Sequence, residues 1–177
     1  MSKRAILDSC FIIDWSKFKK RDTLFEVFEA VYITPDVLNE LKSEDVIAWI
    51  GEKISSGEII IYEADEEEKG KALEFVEATR KIPHYPSADF VEALGLIIAK
   101  RYNMILISEN RAVLYAPLTF PEFSSVSVWR GIDILAQIAR DCSELDQLID
   151  EYEAQTLRRY SKKVIERARE RCKGNEN

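Results

Sequence analysis

Histidine is nearly absent: among 177 residues His84 is the single one. That excludes a His-rich zinc site, two-His iron chemistry and a His–Cys dyad with further ligands. Any catalytic metal must be held mostly by oxygen, which points to Mg²⁺, Mn²⁺ or Ca²⁺. Cysteine is scarce too. Cys10, Cys142 and Cys172 are odd in number and scattered, so they form neither a disulfide framework nor a CxxC metal pair, and they suggest a reducing cytoplasm. Six glycines and five prolines leave no room for a collagen-like chain, a linker-rich chain or a Gly-rich phosphate loop. No apolar run approaches the roughly 18 residues that would span a bilayer, and the N-terminal stretch lacks the apolar region and cleavage site of a signal peptide. What remains is 46% hydrophobic and 32% charged residues in 20.4 kDa, the composition of one well-buried globular domain with an appended helix.

The formal charge of −7 argues against a nucleic-acid partner, but its distribution is uneven. Residues 157–173 hold eight bases (Arg158, Arg159, Lys162, Lys163, Arg167, Arg169, Arg171, Lys173) against Glu166 and Glu170, a net +6 that leaves −13 for the rest. This is either an electrostatic arm for RNA, DNA or an acidic partner, or a solvated helix face. The acids Glu63, Asp65, Glu66, Glu67 and Glu68 suit the exposed first turn of a helix, where the macrodipole favours them.

Short apolar runs alternate with helical patterns. Strands are expected at 4–7, 31–33, 59–62, 104–107 and 125–129. The third, Ile59-Ile60-Ile61-Tyr62, is fully apolar and reads as buried on both faces. Helices are expected at 11–19, from Thr34-Pro35-Asp36 onward, and over 46–54, 65–79, 88–102, 131–140 and 143–172, the last with a stripe through Leu145, Ile149, Tyr152, Thr156, Tyr160, Val164 and Ala168. Such alternation predicts an α/β protein with a parallel sheet covered by helices on both faces. The single boundary falls near residue 141, giving an α/β domain over 1–141 and a basic helical extension over 142–177. Phe11, Trp15, Trp49 and the terminal helix offer more apolar surface than one sheet needs, which predicts association through a helical face.

Ligands of such sheets bind beyond the carboxyl ends of the strands. Asp8 directly follows the first strand, Glu40 lies in the helix after the second, and Asp89 opens the helix leading to the fourth. Ser108-Glu109-Asn110 directly follows that fourth strand. Each has an ordinary explanation. Asp8 can cap the next helix, Glu40 can be a surface residue, Asp89 can pair with Glu92 in an Asp-x-x-Glu cap, and Asn110 can be a turn residue. Asp36 fits a helix-start acid and is set aside. Two carboxylates about 5 Å apart repel by roughly 3 kcal/mol at an effective dielectric near 20. A converging set therefore needs raised pKa values or a hard divalent ion. Such an ion can activate water and stabilise a phosphate under in-line attack, and no Ser–His pair competes for the role of nucleophile.

On these residues the chain resembles the PIN domain family, including VapC-type toxin nucleases. The resemblance is carried by Ile6-Leu7-Asp8-Ser9-Cys10-Phe11-Ile12-Ile13, Thr34-Pro35-Asp36-Val37-Leu38-Asn39-Glu40-Leu41, Ser87-Ala88-Asp89 with Ala93 and Ala99, and Ile105-Leu106-Ile107-Ser108-Glu109-Asn110-Arg111. It implies a PIN-like three-layer α/β/α fold with a five-stranded parallel sheet, followed here by a long C-terminal helix. It also implies a Mg²⁺- or Mn²⁺-dependent endoribonuclease in which Asp8, Glu40, Asp89 and Asn110 are the catalytic and metal-binding positions. Ser9 and Ser108 would be supporting hydroxyls. The partners implied are an RNA substrate, a second copy in a homodimer and, for a toxin, an antitoxin protein. The neutral Asn110, the long stretch 115–124 and the terminal helix depart from the family pattern. Glu109 could compensate for Asn110, but on an extended chain its side chain points the other way. The Arg80, Lys81 and Pro83-His84-Tyr85-Pro86 segment could hold RNA by charge and stacking.

The alternative is a non-catalytic PIN-like module that binds RNA or protein, favoured by Asn110 and the acidic body and opposed by the three acids. A haloalkanoate-dehalogenase-like phosphatase would need Asp where Cys10 stands, and the acidic pair and Lys of a response regulator are not found.

Overall fold

The computed structural model describes residues 3–175. Five parallel strands form one sheet: β1 Arg4–Leu7, β2 Ala30–Ile33, β3 Ile59–Ile61, β4 Ile105–Ile107 and β5 Ser127–Trp129. Their order is β3-β2-β1-β4-β5. The chain therefore runs outward in one direction from β1 and, after β3, crosses back to build β4 and β5 on the other side. The reversal lies between β1 and β4, in register Ala5↔Ile105 to Leu7↔Ile107.

Side-chain alternation along the strands makes two cores. Ala5, Leu7, Val31, Ile33 and Ile107 face one, while Ile6 and Leu106 face the other. The first core is covered by α1 Ser9–Trp15, α2 Leu24–Val27, α3 Pro35–Glu40 and α4 Glu44–Ser55. The second is covered by α5 Glu66–Arg80, α6 Phe90–Tyr102 and α7 Arg111–Thr119. α8 Gly131–Ile138, α9 Cys142–Thr156 and α10 Lys162–Asn175 return to the first. This is the α/β architecture expected, an all-parallel five-stranded sheet between helical layers, and it fits a PIN-like three-layer fold.

Four features differ from the sequence reading. β3 is an edge strand paired only with β2, so Ile60 and Ile61 are 42% and 45% exposed instead of buried on both faces. The stretch after Asn110 forms α7 despite Pro117 inside it, followed by a 3₁₀ turn at Pro121–Phe123. The terminal segment is two helices, not one: the chain breaks at Leu157, whose φ of 61° cannot continue a helix. Finally, Phe11, Trp15 and Trp49 are buried within the chain itself. Trp15 packs against Phe11, Phe18 and Tyr152 of α9 at ring separations of 5.3–5.4 Å, so these residues offer no surface for association.

The basic segment is tied to the acidic body. Arg158 binds Asp14, Arg169 makes two 2.8 Å bonds to Asp146, Arg171 reaches Asp133, and Arg159 lies 4.0 Å from Glu153. Lys162, Lys163 and Arg167 remain exposed, interleaved with exposed Glu166 and Glu170; the Lys173 side chain lies outside the described residues. Much of the +6 thus closes the fold instead of facing a polyanion. No helix among the described residues is long and apolar enough to cross a membrane.

Candidate metal centre

The reversal of strand order opens a crevice at the carboxyl ends of β1 and β4. Asp8 sits at the first of these ends. Its backbone N–H donates to Ile107 O at 3.0 Å, which fixes it against β4. It occupies the N-cap position of α1, yet its side chain makes no capping bond. Instead its Oδ2 accepts from Ser108 Oγ at 2.8 Å. The carboxylate is therefore turned into the crevice and is only 3% exposed. Burial, with the nearby charges of Asp89 and Glu40, pushes its pKa up to about 6, against the lowering effect of the Ser108 bond.

Glu40 arrives from the last turn of α3, a short helix started by Thr34, whose Oγ1 accepts from Val37 N, and by Pro35 at the first position. Glu40 accepts a hydrogen bond from Ser9 Oγ, so the residue after Asp8 orients it. Asp89 is the N-cap of α6 and accepts from Glu92 N at 2.9 Å; Glu92 Oε2 returns the bond from Asp89 N at 3.1 Å. The ordinary capping-box reading of this pair is thus realised.

Glu92 does more than cap. Its other oxygen accepts from Asn110 Nδ2 at 2.5 Å, and its side chain is buried beside Asp8. Carboxylate oxygens of Asp8 and Glu92 and the Cys10 thiol all lie within 4.8 Å of one another, a spacing that could hold a metal ion. Burial raises the Glu92 pKa to about 7, with Asp89 and Asp8 adding to it, and the Cys10 thiol is pushed up to about 11 by burial and the same acids. Asn110 caps α7 through Ala112 N at 2.7 Å while its amide holds Glu92. Of the four sequence-chosen residues, Glu40 and Asp89 lie near enough to raise the Asp8 pKa and Asn110 reaches Glu92, but neither Glu40 nor Asp89 belongs to the group of side chains within one metal-ligand spacing among the described residues. Glu92 and Cys10 join Asp8 in that group. Sequence reasoning placed Glu92 only as a helix cap. The available signal was an acid within an otherwise apolar helical face, followed by Ala93 and Leu94, both fully buried.

Glu109 turns away from the crevice, as the extended chain requires. It accepts from Tyr160 Oη at 2.6 Å and Gly131 N at 3.0 Å, with Arg158 at 3.8 Å. Burial raises its pKa and these partners oppose the shift. His84 lies in the exposed loop before α6, apart from the carboxylates.

No known family model matches the chain, and no curated protein matches it. Among solved structures, that of FitAB bound to an IR36 DNA fragment is similar at a TM-score of 0.43 and 14% identity, over 71% of this chain and 94% of that one. The likeness is too distant to carry function across.

Proposed function

We propose that this chain is a PIN-type, Mg²⁺- or Mn²⁺-dependent endoribonuclease. The observation that carries the reading is the crevice itself: Asp8 and Glu92 converge where the sheet order reverses, Asn110 holds Glu92, and burial, with the charges of nearby Asp89 and Glu40, raises the pKa of Asp8. The donor set fits a hard divalent ion, because it is nearly all oxygen and is charged beyond what the crevice tolerates alone. Asp8 and Glu92 would hold the ion first, with Glu40 and Asp89 as further carboxylates, and Asn110 would join them only with its amide turned over, since its Nδ2 now faces Glu92. When bound, such an ion lowers the pKa of water and neutralises charge on a phosphate.

The chain's own residues do the rest. Ser108 fixes Asp8, Ser9 fixes Glu40, and Asn110 fixes Glu92, so three carboxylates are held before substrate arrives. Water attacks the phosphorus, a carboxylate takes its proton, the P–O bond to the leaving strand breaks, and the leaving oxygen regains a proton. We further propose cytoplasmic action as the toxin of a toxin–antitoxin pair, working as a homodimer with an antitoxin partner, with residues 1–141 as the nuclease domain and 142–177 as its basic extension. Incubation with structured and single-stranded RNAs plus Mn²⁺ tests the activity. Cleavage should stop in chelator and in Asp8→Asn. Binding of RNA without cleavage in Mn²⁺ would establish the non-catalytic alternative.

A further inference from the structure

Next to the carboxylates the surface changes character. A depression of about 440 Å³ opens between Cys10, Glu109, Asn110, Arg111 and Arg158. A second, of about 400 Å³, is bounded by His84, Tyr115 and Leu118. The two adjoin at Pro86 and Arg111, giving a groove that runs past Arg111 from Cys10 and Asn110, the neighbours of Asp8 and Glu92. Along it, Arg158 is neutralised by Asp14 and lies near Glu109. Arg111 is exposed in the first turn of α7 and makes no hydrogen bond or ion pair among the described residues. Tyr115 follows four residues later on the same helical face. It is 46% exposed, and its hydroxyl has no hydrogen bond among the described residues. The facing loop is fixed: Tyr85 Oη donates to Ala112 O at 2.6 Å and its ring packs edge-on against Phe120 at 5.5 Å. Exposed His84 is held there with a φ of 62°.

An unpaired guanidinium and an exposed aromatic ring one helical turn apart form a phosphate clamp beside a stacking platform, the pairing that binds unpaired nucleic-acid strands. A duplex cannot use it, because its bases are already stacked. We infer that this groove binds single-stranded RNA, with a phosphate on Arg111 and the adjoining base stacked on Tyr115; that the strand is RNA led to the carboxylates rests on the ribonuclease reading.

Fluorescence anisotropy in Ca²⁺ with a short labelled RNA, its DNA counterpart and an RNA duplex tests the groove. Single-stranded RNA should bind in preference to both. Arg111→Gln should weaken it about tenfold and lower the salt slope by about 0.7. Tyr115→Ala should also weaken it about tenfold, while Tyr115→Phe and the distant surface change Arg140→Gln should not. No binding of the single strand, duplex bound as tightly, or unchanged affinity in Arg111→Gln and Tyr115→Ala overturns the groove. DNA bound as tightly as RNA overturns the assignment to RNA. Cleavage in Mn²⁺ is read separately. Binding through Arg111 and Tyr115 without cleavage removes the ribonuclease reading and keeps the groove. Full cleavage by the double variant removes the groove and keeps the ribonuclease.

Discussion

Asp8→Asn should stabilise the metal-free protein while removing its response to divalent ions. In the folded chain burial, together with the charges of Asp89 and Glu40, lifts the Asp8 carboxyl from its ordinary 3.8 to about 6. A rise of roughly two units corresponds to about 3 kcal/mol lost when the group is ionised. Asparagine keeps the shape, and its oxygen can still accept from Ser108 Oγ, now 2.8 Å from Asp8 Oδ2. Because the folded-state pKa is raised, the wild type is not penalised below about 3.8 and bears the full cost above about 6. The advantage of the variant should therefore be largest at pH 8 and shrink by about half at pH 5. For a chain of this size it corresponds to about 6–12 °C in Tm. Thermal unfolding followed by circular dichroism, in chelator at both pH values and then with Mn²⁺ at pH 8, reads all of this. A variant less stable than wild type in chelator at pH 8, or one that gains as much from Mn²⁺, would refute the strained-carboxylate account.

The stabilisation that Mn²⁺ gives the wild type should grow from pH 5.5 to pH 8, since the ion competes with protons on Asp8 and Glu92, whose pKa values are raised to about 6 and about 7; a flat thermal-shift profile counts against carboxylate binding. Glu92→Gln should weaken Mn²⁺ binding about tenfold or more by calorimetry and Asp89→Asn by less, because Glu92 lies in the closest group and Asn is as good a helix cap as Asp. Equal losses would return Glu92 to a capping role. Gly131→Ala should cost about 1–3 kcal/mol in urea unfolding, because its Cβ would lie 2.9 Å from Tyr152 Oη and 3.0 Å from Tyr160 Oη; an unchanged midpoint would mean those rings yield freely.

Much of the architecture was legible because strands bound for a sheet interior announce themselves. The runs around Ile6, Val31 and Leu106 read as strands of the parallel sheet, and Asp8 and Ser108, which follow two of them, hydrogen-bond each other where the order reverses. β3 misled because an Ile run records apolar content, not how many neighbours a strand has. α7 was hidden by Pro117, and the break between α9 and α10 by a leucine where glycine is the usual signal. Glu92 was masked by its own cap signature, since one carboxylate has two oxygens and here uses them for two tasks. The apolar surplus around Trp15 was counted correctly and assigned wrongly, because its cover, Tyr152, lies far along the chain.

That long-range cover orders events during synthesis. The ribosome makes all five strands and the carboxylate-bearing segments before α9 supplies Leu145, Leu148 and Tyr152 to the core and before Tyr160 reaches Glu109. An emerging chain thus carries Asp8, Glu40, Asp89 and Glu92 while one face of its sheet still lacks part of its cover. Completion of the core beneath the crevice therefore waits on translation of the downstream helices.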